Sequence, residues 1–169
     1  NVERSTFNDR QPSPQPTAPS TPTPYPPPSL RSLAEAHHLF VGVSVAPGWL
    51  ADPAYAGLLT REFNAVTPEN SMKFEVLQPE PGRYDFSEGD AIVAFAKQNG
   101  LKVRGHTLVW ANQLPKWVLE GDYTREQWIE ILRDHITTVV GHYRGSENDR
   151  TVVALVNATI ERERLSGAS

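Results

Sequence analysis

The stretch Ser87-Glu-Gly-Asp-Ala-Ile-Val-Ala-Phe-Ala-Lys-Gln-Asn-Gly-Leu-Lys-Val-Arg-Gly-His-Thr-Leu-Val-Trp110 changes its apolar period halfway along. Its first part places Ala91, Ile92, Phe95 and Ala96 on one helical face, and Ser87 with Asp90 has the spacing of a capping box. Gly100 stands where a helix C-cap glycine belongs. Beyond it, Leu101 to Trp110 reads as a strand. Upstream, Leu39-Phe-Val-Gly-Val-Ser-Val45 is a short, nearly continuous apolar run, as expected of a strand covered on both faces. Asp52-Pro53 supplies an N-cap and a first-turn proline for a helix with Tyr55, Leu58 and Leu59 on one face. Phe63 to Thr67 is a second strand, stopped by Pro68. Downstream, Thr124 and Gln127 have capping-box spacing, and Trp128, Ile131, Leu132, Ile136, Val139 and Val140 make one apolar stripe. Thr151 to Asn157 is a fourth strand. Strands and helices alternate throughout, which implies an α/β fold with right-handed crossovers and a parallel sheet.

Composition bounds what surrounds this pattern. Of 15 prolines in 169 residues, nine lie between Pro12 and Pro28. Such a segment can form neither a helix nor a ladder, so residues 1–32 read as a Pro/Thr/Ser-rich, disordered linker. Residues 33–169 remain to form one globular domain. A net charge of −4 without a basic stripe argues against a nucleic-acid partner. No apolar run is long enough to span a bilayer, which argues against a membrane partner. The chain has no cysteine, and therefore no disulfide frame or zinc–thiolate site. No cofactor or metal is expected, and no signal peptide is visible.

Ligands of parallel sheets gather beyond the carboxyl ends of the strands. Three segments fall there: Pro68 to Glu75, His106 to Trp117, and Asn157 onward. The first brings Glu69, Asn70 and Lys73 close together, a mixture of donors and acceptors suited to vicinal sugar hydroxyls. A polar loop with capping residues would use the same residue types. In the second segment, the indole of Trp110 suits the C–H face of a pyranose ring, and His106 lies beside it. A Trp at a strand end is equally at home in a core, and a lone His commonly serves as a structural hydrogen-bonding residue. His135, on the stripe of the long helix, reads as a satisfied core histidine. His37 and His38 lack metal-ligand companions. Asn157-Ala-Thr159 fits the glycosylation pattern but sits at a strand end, and Glu161-Arg-Glu-Arg164 reads as a solvated helix face.

Together Thr67-Pro-Glu-Asn-Ser-Met-Lys73, Gln78-Pro-Glu-Pro-Gly-Arg-Tyr-Asp-Phe86, Arg104-Gly-His-Thr-Leu-Val-Trp110 and Gln113-Leu-Pro-Lys-Trp117 resemble glycoside hydrolase family 10, the endo-β-1,4-xylanases. The resemblance runs from about Leu39 to Arg144. It implies a (β/α)8 barrel, of which this chain holds about the first half, and hydrolysis of xylan with retention of configuration. It also implies a secreted, extracellular protein whose partner is xylan or a xylo-oligosaccharide. By motif, Glu69, Asn70 and Lys73 would bind the glycone-side xylose, and His106, Trp110 and Gln113 would line the same subsites.

Three departures accompany the resemblance. The residue after Trp110 is Ala111, where the family usually has His, and Met-Lys-Trp is here Met72-Lys73-Phe74. The fourth strand of the family ends Asn-Glu, its Glu being the acid/base; here Asn157 is kept and Ala158 stands at the catalytic position. The strand that supplies the nucleophile has no counterpart up to Ser169. Retaining hydrolysis needs two carboxylates about 5–5.5 Å apart, so the expectation is a catalytically incomplete xylanase-like chain. A non-hydrolytic xylan-binding module, or an engineered and inactivated barrel scaffold, would share these features. A (β/α)8 barrel takes roughly 250 residues, so four strands would leave open edges through which the chain could self-associate.

Overall fold

The computed structural model describes residues 27–144 and the backbone of 152–155. Four strands, β1 (Gly42–Val45), β2 (Ala65–Pro68), β3 (Lys102–His106) and β4 (Val152–Leu155), form one sheet in the order β1-β2-β3-β4. Every pairing is parallel, with Val43 beside Val66, Val66 beside Val103, and Val103 beside Val152. Helix α1 (Leu30–Ala36) precedes β1, and the connections carry α2 (Pro53–Glu62), α3 (Phe74–Leu77), α4 (Ser87–Gln98), α5 (Lys116–Glu120) and α6 (Arg125–Tyr143). Sequential parallel strands joined by helices are the repeating unit of a (β/α) barrel.

The helix signals act largely as their chemistry dictates. Asp52 Oδ1 accepts from the Ala54 amide at 2.8 Å, ahead of Pro53 in the first turn of α2. Thr124 and Gln127 close a reciprocal capping box at the start of α6. Gly100, at φ +64°, ends α4 with Leu101 N–H on Ala96 C=O and Gly100 N–H on Lys97 C=O, the paired bonds of a Schellman end. The Ser87–Asp90 box does not form. Phe86 is the N-cap residue, and Asp85 Oδ1 takes both the amide and the hydroxyl of Ser87. The Ser87 amide goes to the carboxylate two residues upstream and the Asp90 amide to Phe86 C=O at 2.8 Å, so neither half of the box is left to form.

The strands are shorter than their apolar runs. Leu39 and Phe40 lie outside β1 and are 63% and 73% exposed. The reason is Asn64: its side chain accepts from Val41 N–H at 2.8 Å and donates to Leu39 C=O at 2.9 Å, engaging backbone groups that a ladder would need. Phe63 belongs to the end of α2 rather than to β2, which runs on through Pro68. A proline is tolerated at this last position. Residues after His106 leave β3, whose peptide to Thr107 is cis.

Among the described residues, β1 is covered on one face only. Val45, Val66 and Val103 are buried on the helix side with Leu59, Ile92, Ala96 and Val139, whereas Gly42, Ser44, Lys102 and Arg104 are exposed on the other. All the described helical packing falls on one side, and the exposed side is the one that lines the interior in a barrel. Helix α1 includes Leu30, Arg31 and Ser32, which composition groups with the Pro-rich segment 1–32. Ser29 caps it, and Glu62 accepts from Leu30 N–H at 2.9 Å. Arg31 reaches the carbonyls of Thr60, Asn99 and Gly100, at the carboxyl ends of α2 and α4.

Candidate functional site

The segment after β2 is fixed from both ends. Glu69 N–H bonds Val45 C=O at 2.9 Å, continuing the β1–β2 ladder past Pro68, and Lys73 N–H bonds Asn70 C=O at 2.8 Å to close a turn. Ser71 and Met72 are buried, Ser71 donating to Glu88 on α4 at 2.9 Å. With Ser71 to Phe74 buried, the segment exposes Glu69 and Asn70 at the carboxyl edge of the sheet.

Lys73 is buried to 4% exposure. Its Nζ donates to Gln113 Oε1 at 2.8 Å and lies 4.2 Å from the centre of the Trp110 ring. Gln113, on the 3₁₀ turn Ala111–Gln113, donates through Nε2 to Glu75 at 3.0 Å and to Asn70 at 3.2 Å. Burial pushes the Lys73 ammonium below its ordinary pKa, while the Glu75 and then the Glu69 carboxylates oppose that shift. His106 ends β3. Burial, with the charges of Lys73 and Arg104, lowers its pKa and so favours the neutral imidazole. Its Nδ1 is shielded from solvent without a hydrogen-bond partner among the described residues.

The fold therefore joins Asn70, Lys73, Trp110 and Gln113 into one connected cluster, with Glu69 and His106 tied to it through their electrostatic effect on, or from, Lys73. Asn157 and Ala158, two and three residues beyond the end of β4, lie outside the described residues. Glu75, which the motifs did not mark as a binding residue, is a full member of the cluster. The signal was its placement two residues after Lys73, on the segment that leaves β2.

A second tier supports the first. Phe74 stacks on His135 of α6 with ring centroids 3.6 Å apart and meets Trp117 edge-on at 6.0 Å. Gln78 bridges both, its Oε1 lying 3.0 Å from His135 Nδ1 and its carbonyl accepting from Trp117 Nε1–H at 3.1 Å. His135 is fully buried, and burial pushes its pKa down to about 4, against smaller opposing influences of the Leu108 backbone and the Asp134 charge. The sign follows from linkage. The folded value lies below the unfolded one near 6.5, so this contribution is complete above about pH 6.5 and is lost as pH falls towards 4. The gap corresponds to about 3 kcal/mol. Urea midpoints at pH 7 and pH 4.5 should show a marked fall that is shallower in His135→Gln; parallel falls in the two proteins would contradict the assignment.

A sheet of parallel strands with polar and aromatic side chains collected at its carboxyl ends defines a (β/α)-barrel protein with its site at the strand ends. The sequence profile of Glycosyl hydrolase family 10 matches residues 29–166. The β-1,4-xylanase of Dictyoglomus thermophilum is 48% identical over 116 residues, 69% of this chain and 32% of that protein. Endo-1,4-β-xylanase A of Phanerodontia chrysosporium is 43% identical over 119 residues, 69% of this chain and 29% of that protein. Among solved structures, native xylanase 10B from Thermotoga maritima is similar with a TM-score of 0.68 and 40% identity, over 75% of this chain and 39% of that one. Xylanase 10B from Thermotoga petrophila, in complex with xylobiose, gives 0.66 and 41% over 69% of this chain and 37% of that one. The chain belongs to glycosyl hydrolase family 10, and it spans about a third of the length of these two curated relatives.

Proposed function

We propose that residues 67–117 form the glycone-side part of a xylan-binding cleft of the endo-β-1,4-xylanase type. Glu69, Asn70, Lys73 and Gln113 would meet sugar hydroxyls, with His106 and Trp110 lining the same subsites. The observation that carries this reading is the Lys73 ammonium, buried at a strand end against Trp110 and Gln113. Burying a cation is costly, and the family relationship gives the cost a purpose. Related structures determined with xylobiose and with xylotriose support the choice of ligand. Calorimetric titration with xylohexaose tests it: heat of binding with millimolar or tighter affinity is expected, and no heat at millimolar sugar would end the proposal.

The same reading holds that these 169 residues bind without cleaving. By motif, the acid/base position is Ala158. An alanine can neither protonate a leaving oxygen nor activate water, and retaining hydrolysis requires a second carboxylate as well. No xylan hydrolysis above background is expected of this chain. Ala158→Glu alone should not create activity, since a nucleophile would still be needed. Release of xylo-oligosaccharides by the unmodified chain would overturn this.

A further inference from the structure

The side-chain amide of Gln113 stands between groups of opposite hydrogen-bonding character. On one side Lys73 Nζ approaches its Oε1 at 2.8 Å; on the other, Glu75 Oε1 lies 3.0 Å and Asn70 Oδ1 3.2 Å from its Nε2. An ammonium only donates and a carboxylate only accepts. A single amide polarity therefore satisfies both charges, and the flipped amide would set donor against donor and acceptor against acceptor.

We propose that Glu75 is a positioning residue of this site, fixing the polarity of the Gln113 amide and so holding the Gln113 carbonyl oxygen on Lys73. Glu75 is exposed, but its backbone is not free: it follows Phe74, buried between His135 and Trp117. The carboxylate thus starts from a rigid point. Both Nε2 protons of Gln113 are committed, one to Glu75 and one to Asn70, so Gln113 offers a ligand only its oxygen. Resting on the xylan-binding reading, this means that a sugar hydroxyl meeting Gln113 donates its proton there.

Glu75 also acts through charge. The charges bearing on Lys73 are Glu75 and Glu69 from its own segment, and Lys73 in turn bears on His106 of β3. Of the two carboxylates, Glu75 does more to oppose the effect of burial on the ammonium.

The test uses the sugar-free chain, so that it does not depend on affinity. NMR would follow the Gln113 side-chain NH₂ protons and the titration of the Lys73 Cε signal in the unmodified protein, Glu75→Ala and Glu75→Gln. Glu75→Ala should speed exchange of the Gln113 amide protons with water by roughly tenfold or more and move the Lys73 titration to lower pH. Glu75→Gln keeps an acceptor oxygen, so Gln113 protection should be largely restored while Lys73 still titrates lower. A residue that merely packs would not separate geometry from charge in this way. Unchanged Gln113 exchange in a folded Glu75→Ala would overturn the proposal. Should that variant fail to fold, Glu75→Ser takes its place, and unchanged Gln113 exchange there would overturn it. Failure of the unmodified chain to bind xylohexaose would count against the cleft's function and leave these signals to decide the role of Glu75.

Discussion

Replacing Phe74 with alanine should lower stability by about 3–5 kcal/mol, the usual range for removing a buried aromatic ring. Phe74 is 1% exposed, and its ring is held on one face by His135 and at its edge by Trp117. These neighbours cannot collapse into the space, because Gln78 ties both of them through its side chain and its carbonyl. A rigid lining leaves a cavity, and the cavity adds to the loss of transfer free energy. Phe40→Ala is the control: Phe40 is 73% exposed, and its loss should cost no more than about 0.5 kcal/mol. Urea unfolding with unchanged m-values would measure both. A Phe74→Ala cost near that of the control would mean that the segment after β2 is not anchored from beneath.

Lys73→Met should weaken xylohexaose binding on the order of 30- to 100-fold, the scale of losing a charged hydrogen-bonding group, yet make the protein more stable at neutral pH. The two effects have one origin. Lys73 is buried, and burial lowers its pKa despite Glu75 and Glu69. A lowered pKa means that the fold disfavours the ammonium relative to the unfolded chain, and a thioether of similar length escapes that cost. The stability gain should be greatest at neutral pH, where lysine is charged in both states, and shrink as pH rises towards the unfolded pKa. Thermal unfolding with calorimetric titration would detect this opposition. Sites where stability is spent on ligand contact are expected to show it; a loss of stability in Lys73→Met would show instead that the ammonium supports the fold.

The order of elements was legible in the sequence because helix and strand periods alternate and several termini carry explicit chemistry. Asp52, Gly100 and Thr124 with Gln127 each mark a boundary by local hydrogen bonding, which does not depend on the rest of the chain. Boundaries set by distant residues were not legible. The strand reading of Leu39 and Phe40 fails because Asn64, far along the chain, engages the local backbone. Ser87 loses its capping role to purely local competition, its own amide going to Asp85 and that of Asp90 to Phe86 C=O.

The site divides in the same manner. The motifs named Glu69, Asn70, Lys73, His106, Trp110 and Gln113, because those residue types in that order carry the family resemblance. They did not reveal that Glu75 reaches across to Gln113, 38 residues away. A carboxylate on a polar segment looks the same in sequence whether it faces solvent or orients an amide. His135 was readable as a core residue from its place on the stripe, but its bridge to Gln78 required two separate elements to meet.

The grip of Arg31 on the carbonyls of Thr60, Asn99 and Gly100 has a mechanical meaning. Those carbonyls close α2 and α4 just before β2 and β3 begin, so α1 sits at the opposite pole of the sheet from the Lys73–Gln113 cluster. Anything attached ahead of Pro27 pulls on that pole. Tension there is shared between two helix ends through one guanidinium and between α1 and α2 through Glu62, and none of it is transmitted first through Lys73 or Gln113. A load on this pole therefore falls on two helix ends before it reaches the carboxyl ends of the strands, where Lys73 and Gln113 lie.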